Sequence, residues 1–190
     1  MPILRAIPRS EQREEPWANG AGSTTVLLRE PESADWTIRV SVAHVEAPGP
    51  FSELPDTRRV LVPLDAPMAL RFPDGRELAA PRFGLLCFDG SPAPAGLLPA
   101  GPTRDFNLML RGDAQGDVLP RTLVDSMMLP SLAGVRWLVY VDSGQIRIDA
   151  GAGKSLAPEP REAVLITAGG DTGRVSIEGA GEIMLVKLYA

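Results

Sequence analysis

Cysteine and histidine are almost absent from this chain of 190 residues, which contains one of each. With Cys87 alone no disulfide can form within the chain, so the sequence indicates a reducing compartment and we expect a cytoplasmic protein. His44 alone cannot supply the two or three histidines from which histidine-based metal sites are built. We therefore expect neither a metal nor a cofactor.

Long apolar runs and an excess of positive charge are missing as well. No apolar run approaches the roughly 18 residues of a membrane span, and we expect no membrane partner. The formal net charge is −5, from 19 lysines and arginines against 24 aspartates and glutamates. This balance argues against binding to the phosphate backbone, so nucleic acid is not an expected partner.

The usual signatures of nucleophilic catalysis are also missing. No Gly-x-Ser-x-Gly turn presents a serine, and a Ser-His-Asp triad would have only His44 to use. Cys87 lies in the apolar run 83–88, which favours inert packing over nucleophilic attack. We expect no catalytic residue, although a hydrolytic pair of carboxylates, such as Asp105 and Glu53, stays open.

Glycine and proline are abundant, with 19 of each spread along the chain. Both interrupt helices, and the segments between them are short and rich in β-branched residues. Turn residues such as 142–144 separate these segments. The pattern predicts an all-β fold in which the one expected helix is short, near residues 121–129. The predicted strands are 24–28, 36–45, 59–64, 68–72, 135–141, 145–149, 163–167, 174–178 and 182–189.

The two halves of the chain resemble each other. Residues 61–65 align with 138–142, and each segment is followed by a turn, a strand and a loop that contains proline. The match extends to the closing strands of the two halves. The order of strands and turns looks like a cupin barrel, or jelly roll, that occurs twice. Residues 1–118 are expected to form the first, with a polar pocket, and residues 119–190 the second, which pairs with N-terminal strands.

Several ordered motifs in the first half are more specific. They are Pro16-Trp-Ala-Asn-Gly-Ala-Gly-Ser-Thr24, Trp36-Thr-Ile-Arg-Val-Ser41, Gly49-Pro-Phe-Ser-Glu-Leu-Pro55, Phe88-Asp-Gly90 and Gly101-Pro-Thr-Arg-Asp-Phe-Asn-Leu-Met-Leu-Arg111. Together they resemble the HutD/Ves family of bacterial bicupins. The resemblance implies a double-barrel fold with a small-molecule pocket in the N-terminal barrel. It also implies a role in governing histidine utilisation through an acid such as formylglutamate or urocanate.

Strand periodicity indicates which side chains share a face. In the closing strand of the first half, these are Asp105, Asn107, Met109 and Arg111. The matching positions of the second half hold Ile183, Leu185, Lys187 and Tyr189. Periodicity alone favours a half-solvated sheet whose polar side chains face water. The contrast between the halves, together with the family resemblance, favours a polar pocket in the first barrel and a closed apolar core in the second.

The chemistry expected of this pocket is anion recognition. Arginine forks hold carboxylates through paired, charge-assisted hydrogen bonds, and amides, hydroxyls and aromatic rings complete such sites. An unpaired charge on a buried arginine is costly, so a negatively charged partner must be present before the ligand binds. This partner is Asp105, Glu53 or a bound anion. Arg58 is expected at the surface. The predicted ligand-binding residues are Trp17, Asn19, Thr24, Arg39, Phe51, Ser52, Arg59, Asp105, Asn107 and Arg111.

Three functions are consistent with this sequence. The first is a metal-free bicupin that binds a small carboxylate and regulates histidine utilisation without converting the ligand. The second is a metal-independent isomerase or lyase of a small organic acid, with Asp105 or His44 as base and a carboxyl group of strongly raised pKa in its pocket. The third is a structural bicupin whose pocket is a relic. We expect a monomer or a homodimer.

Overall fold

β-Strands make up nearly all of the regular structure, and the predicted all-β class is confirmed. The computed structural model describes residues 1–17, 22–169 and 173–189. In these residues no helix is long and apolar enough to cross a membrane. The described strands are β1 (Ile3–Ile7), β2 (Arg13–Pro16), β3 (Gly22–Glu30), β4 (Ile38–Val45), β5 (Gly49–Pro50), β6 (Thr57–Pro63), β7 (Met68–Arg71), β8 (Glu77–Ala80), β9 (Leu86–Asp89), β10 (Ala95–Leu97), β11 (Thr103–Arg111), β12 (Gln115–Ser131), β13 (Val135–Asp149), β14 (Ser155–Leu156), β15 (Ala163–Thr167) and β16 (Gly173–Tyr189).

The strands divide into two units. The first unit is Arg13–Ala114, and the second joins Met1–Gln12 to Gln115–Ala190. The sequence predicts a first barrel over residues 1–118, and the observed end of the first unit lies close to that limit. The beginning of the first unit differs from the predicted one. All five residues of β1 pair with β15, so β1 belongs to the second unit.

The first unit contains two sheets. The larger has six strands in the order β2-β3-β4-β11-β6-β9, and the smaller has four in the order β5-β10-β7-β8. Apolar side chains of both sheets meet in one buried cluster, to which Leu61 and Phe88 contribute from the larger sheet and Met68 and Leu70 from the smaller. The two sheets therefore pack face to face, as in a β-sandwich.

The second unit is built on one six-stranded sheet, in the order β1-β15-β13-β16-β12 with β14 paired to β13. Three of its strands are long, with 17 residues in β12, 15 in β13 and 17 in β16. Val139 and Ile148 lie in opposite arms of β13 and yet share one apolar cluster. The sheet therefore folds over its own core.

One extra residue in β13 allows both of its arms to face this core. Pairing with β16 shifts between Val141 and Ser143, so Asp142 is an extra residue in β13 at this point. An extra residue inverts the alternation of faces, so that the same side is reached from odd positions before the bulge and from even positions after it. The predicted turn at 142–144 is therefore a bulge within a continuous strand. The buried positions are Trp137, Val139 and Val141, then Ile146 and Ile148.

The short helix predicted near residues 121–129 is wrong. These residues lie inside β12, which pairs with β16 along all of its 17 residues. Leu123 and Leu129 join the apolar cluster of the second unit. No glycine or proline interrupts residues 121–129, which suggested a helix, but long-range pairing and burial outweigh that local signal.

Cys87 is exposed, contrary to the packing role expected from its apolar neighbours. It lies on β9, where Leu86 and Phe88 are buried while Cys87 and Asp89 face outward. Adjacent residues of a strand point to opposite faces, so an apolar neighbour in sequence does not imply burial.

Candidate functional site

A cavity of about 440 Å³ opens on the larger sheet of the first unit. Its centre is set by strand register, because Met109 on β11 lies opposite Arg39 on β4 and opposite Arg59 on β6. Alternate residues of a strand point to one face, so the polar side chains of these three strands converge. The cavity is lined by Glu15, Pro16, Trp17, Thr24, Arg39, Ser41, Ala43, Pro50, Phe51, Ser52, Leu54, Arg59, Asn107 and Met109.

Arg59 lies at the floor of the cavity, with 3% of its surface exposed. Its Nη2 donates to Asn107 Oδ1 at 3.0 Å, while its Nε is buried without a hydrogen-bond partner. The guanidinium carbon lies 5.1 Å from the ring centroid of Phe51 and 5.0 Å from that of Phe88, which favours a cation. Burial lowers the pKa of Arg59 to about 10, against the opposing effect of Asp105. Arg59 is therefore positively charged at neutral pH.

Asp105 is fully buried beside Arg59 and does not line the cavity. Asn107 Nδ2 donates to its Oδ1, while its Oδ2 is buried without a hydrogen-bond partner. Burial raises the pKa of Asp105 to about 7, although Arg59 and Asn107 act in the opposite direction. At neutral pH this carboxyl group is therefore partly protonated, and Asn107 links it to Arg59.

Arg39 has a carboxylate partner within the cavity. Glu15 Oε2 accepts a hydrogen bond from Arg39 Nη2 at 2.8 Å, and Glu15 Oε1 accepts one from Arg29 Nη2 at 2.5 Å. Burial lowers the pKa of Arg39, Glu15 opposes that effect, and the charges of Arg29 and Arg111 lower the pKa further. Glu15 reaches this wall because β2 pairs with β3, where Glu15 lies opposite Thr24.

Trp17 and Phe51 form an aromatic wall. Their ring centroids are 6.5 Å apart, and the ring planes are tilted by 56°. The indole N–H of Trp17 donates to Thr24 Oγ1 at 2.8 Å, which fixes the orientation of that ring. Gly96 lies so close to Phe51 that a Cβ atom there would be 2.7 Å from a ring carbon. The wall thus offers a preformed apolar surface to a flat part of a ligand.

The structure brings most of the predicted ligand-binding residues together. Those that line the cavity are Trp17, Thr24, Arg39, Phe51, Ser52, Arg59 and Asn107. Asn19 lies outside the described residues. Asp105 is buried behind Asn107, and Arg111 is not part of the lining. The Arg111 guanidinium carbon lies 3.8 Å from the ring centroid of Trp36, and its Nε donates to Thr57 Oγ1 at 3.0 Å.

Two further expectations concern charged residues around the loop that follows β5. Glu53, one candidate partner for a buried arginine, is exposed and accepts a hydrogen bond from Ser91 Oγ at 2.8 Å. It does not line the cavity. Arg58 is exposed, as the sequence predicts.

Sequence reasoning missed three polar or flexible residues of the lining, Glu15, Ser41 and Met109. Ser41 shares the alternating face of Arg39, and Met109 shares that of Asn107, so periodicity carried a usable signal for both. Glu15 lies in β2, whose sequence Arg-Glu-Glu-Pro shows no apolar alternation. Only the pairing of β2 with β3 reveals that it reaches the cavity.

The described part of the chain does not bring the donors of a metal site together. Within residues 1–17, 22–169 and 173–189, no three His, Cys, Asp or Glu side chains lie close enough together to hold a metal ion. His44 is absent from the cavity lining and lies on β4 opposite Ser23 and Arg104.

The strand architecture is that of a cupin-like fold. The bacterial pirin YhhW from Escherichia coli, solved in complex with nickel(II), has this fold at a TM-score of 0.71, with 11% identity, over 98% of this chain and 99% of that one. At this identity the likeness concerns the fold alone.

Sequence comparison identifies the family. The model of the HutD family matches residues 9–185. Protein Ves from Cronobacter sakazakii is 32% identical over 148 residues, which are 75% of this chain and 77% of Ves. HutD from Pseudomonas fluorescens SBW25 has a TM-score of 0.78 at 20% identity over 98% of both chains. This chain therefore belongs to the HutD family, which is associated with histidine utilisation, and the resemblance seen in its motifs is confirmed.

Proposed function

We propose that this protein binds a small carboxylate and thereby governs histidine utilisation, without a metal and without converting its ligand. The observation that carries the proposal is Arg59, a buried cation at the floor of a cavity of about 440 Å³. Cavities of a few hundred Å³ with a few convergent polar groups are typical of small-molecule sites.

The charge balance at Arg59 supports an anionic ligand. Its hydrogen-bond partner is the neutral amide of Asn107, and Asp105 is only partly ionised at neutral pH because its pKa is raised to about 7. A buried cation without a fully charged partner is costly. A ligand carboxylate supplies the missing charge and two acceptor oxygens that match the guanidinium fork.

The family narrows the class of acid. Formylglutamate and urocanate, the acids that the motif resemblance implies, both carry a carboxylate. A carboxylate of such an acid matches the guanidinium fork of Arg59, and the aromatic wall of Trp17 and Phe51 suits the remainder of the ligand.

One observation favours the alternative of a metal-independent isomerase or lyase. Burial raises the pKa of Asp105 to about 7, which suits a general base. A base must reach the proton that it removes, however, and Asp105 is fully buried outside the cavity lining. We therefore assign Asp105 to the support of Arg59 through Asn107, and binding without turnover is the function proposed.

The experiment is a calorimetric titration of formylglutamate and urocanate into the wild type and three arginine variants. Arg59→Met should weaken binding of the preferred acid by about 10- to 100-fold, because a hydrogen-bonded charge pair is lost. Arg58→Met is the matched control, since Arg58 is the preceding residue, exposed and outside the lining. It should leave the affinity unchanged.

Three outcomes would overturn the proposal. Equal losses in Arg58→Met and Arg59→Met, or no binding of any small carboxylate by the wild type, would exclude the carboxylate site. Conversion of the acid, followed by NMR of the spent mixture, would favour the enzyme. Circular dichroism of each variant shows whether the fold is retained, and Arg59→Lys, which keeps the charge but loses the fork, should bind with intermediate affinity.

A further inference from the structure

The charges around the cavity are not equally available to a ligand. Three charged residues line it, namely Glu15, Arg39 and Arg59. Glu15 holds Arg39 at 2.8 Å and also holds Arg29, so each of its two oxygens is engaged by a different guanidinium. Arg59, by contrast, has a neutral amide acceptor and two aromatic faces.

Arg111 does not supply a second free anion-binding group. Its guanidinium is stacked on Trp36 and donates to Thr57, and it is absent from the cavity lining. Of the three arginines that the sequence predicts for carboxylate binding, Arg59 is thus the one that faces the cavity without a carboxylate of the chain attached.

We propose that Glu15 determines the specificity of the site by occupying the place of a second ligand carboxylate. The site then accepts an acid with a single carboxylate, seated on Arg59, and a neutral flat remainder against Trp17 and Phe51. This inference rests on the proposed function and narrows it from small carboxylates in general to planar monocarboxylates.

The physical reason is competition for Arg39. A second ligand carboxylate near Arg39 meets the negative charge of Glu15, which repels it in a partly desolvated site. It can replace Glu15 only by breaking a hydrogen-bonded ion pair whose arginine side chain is 15% exposed. A neutral, unsaturated group has no such conflict and gains contact with the aromatic wall.

The two acids implied by the family resemblance test this inference directly. At pH 8 urocanate carries one carboxylate and a neutral imidazole, whereas formylglutamate carries two carboxylates. The wild type should bind urocanate at least about tenfold more tightly than formylglutamate, a ratio that corresponds to about 1.4 kcal/mol. Benzoate and isophthalate form a second matched pair with the same expected order.

Removal of the negative charge of Glu15 should release the second arginine. In Glu15→Gln, Arg39 and Arg29 lose their carboxylate partner, so the affinity for formylglutamate should rise by about tenfold and the preference for urocanate should shrink or reverse. Glu14→Gln is the matched control, because Glu14 is the adjacent residue, is exposed, accepts a hydrogen bond from Ser23 Oγ at 2.9 Å and lies outside the lining. It should leave the ratio unchanged.

Each outcome has a defined meaning. Wild-type protein that binds formylglutamate as tightly as urocanate would overturn this inference and leave the proposed function intact. An unchanged ratio in folded Glu15→Gln would also overturn it. Failure of every acid to bind the wild type would overturn the proposed function itself. The wild-type ratios test the inference even where Glu15→Gln does not fold.

Discussion

Between about pH 4 and pH 7 the free energy of unfolding should fall by up to about 4 kcal/mol through the titration of one side chain, Asp105. Burial raises the pKa of this carboxyl group to about 7 in the folded protein, from the ordinary value of 3.8. In this window the folded protein keeps the proton that the unfolded chain has released, so a rising pH favours unfolding. Below this pH range Asp105 is protonated in both the folded and the unfolded state, and its contribution to the free energy of unfolding is fully present. Above it both are ionised and no further loss occurs.

Chemical unfolding at a series of pH values measures this effect by comparing the wild type with Asp105→Asn, which has no proton to lose at this position. The difference between their free energies of unfolding should change by about 4 kcal/mol across the window. A difference that does not vary with pH would contradict the assignment.

Asp65 provides a contrast of opposite sign. Burial raises its pKa, but hydrogen bonds from Arg104 prevail, and the pKa lies below its ordinary value. The stability that Asp65 contributes is therefore present above its ordinary pKa and is lost as the pH falls through the folded value. The advantage of the wild type over Asp65→Asn should accordingly grow as the pH rises through the acid range.

Replacement of Gly144 by alanine should destabilise the second unit by about 3 kcal/mol or more. Gly144 has a φ of +92°, in the left-handed region, and a Cβ atom there would lie 2.1 Å from the carbonyl oxygen of Ala180. That oxygen belongs to the backbone of β16, which is paired with β13 at this point. The clash therefore cannot be relieved without disturbing the sheet.

Gly151→Ala separates the steric clash from the backbone strain. Gly151 also lies in the second unit and has a φ of +82°, but no atom lies within 4 Å of a Cβ built there. Its replacement should cost about 1 kcal/mol, because only the left-handed backbone is penalised. Urea unfolding followed by far-ultraviolet circular dichroism measures both variants, and equal losses would show that the clash at Gly144 is relaxed.

The sequence allowed the polar face of the first unit to be predicted because strand alternation is a local property. Arg39 and Asn107 lie on polar faces whose alternation is visible in the sequence, and both line the cavity. Arg59 lines it as well, but it was predicted from the affinity of arginine for carboxylates rather than from alternation. Of the four matching positions in the second half, Ile183 and Leu185 are buried in an apolar cluster, whereas Lys187 is half-buried and Tyr189 is exposed. Alternation of polar and apolar residues thus predicts both the presence of a strand and the face that points inward.

Features that depend on pairing between distant strands were not accessible in the same way. Glu15 reaches the cavity only because β2 pairs with β3, and the four residues of β2 have no apolar pattern of their own. The bulge at Asp142 resembled a turn, because its polar residues and glycine suit either structure. Residues 121–129 lack the breakers that mark strand ends elsewhere, since they lie in the middle of a strand of 17 residues.

The pairing of β1 with β15 has a consequence for the order in which the chain can assemble. Ile3 lies opposite Thr167, so β1 leaves the ribosome long before the strand that it joins has been made. The intervening residues 13–114 contain every strand of the first unit and can fold as soon as they emerge. The second unit is thus completed last, because β1 is synthesised first but can pair with β15 only after residue 167 has been made. A chain that stops before residue 163 leaves this strand as an open edge, ready to pair with another molecule.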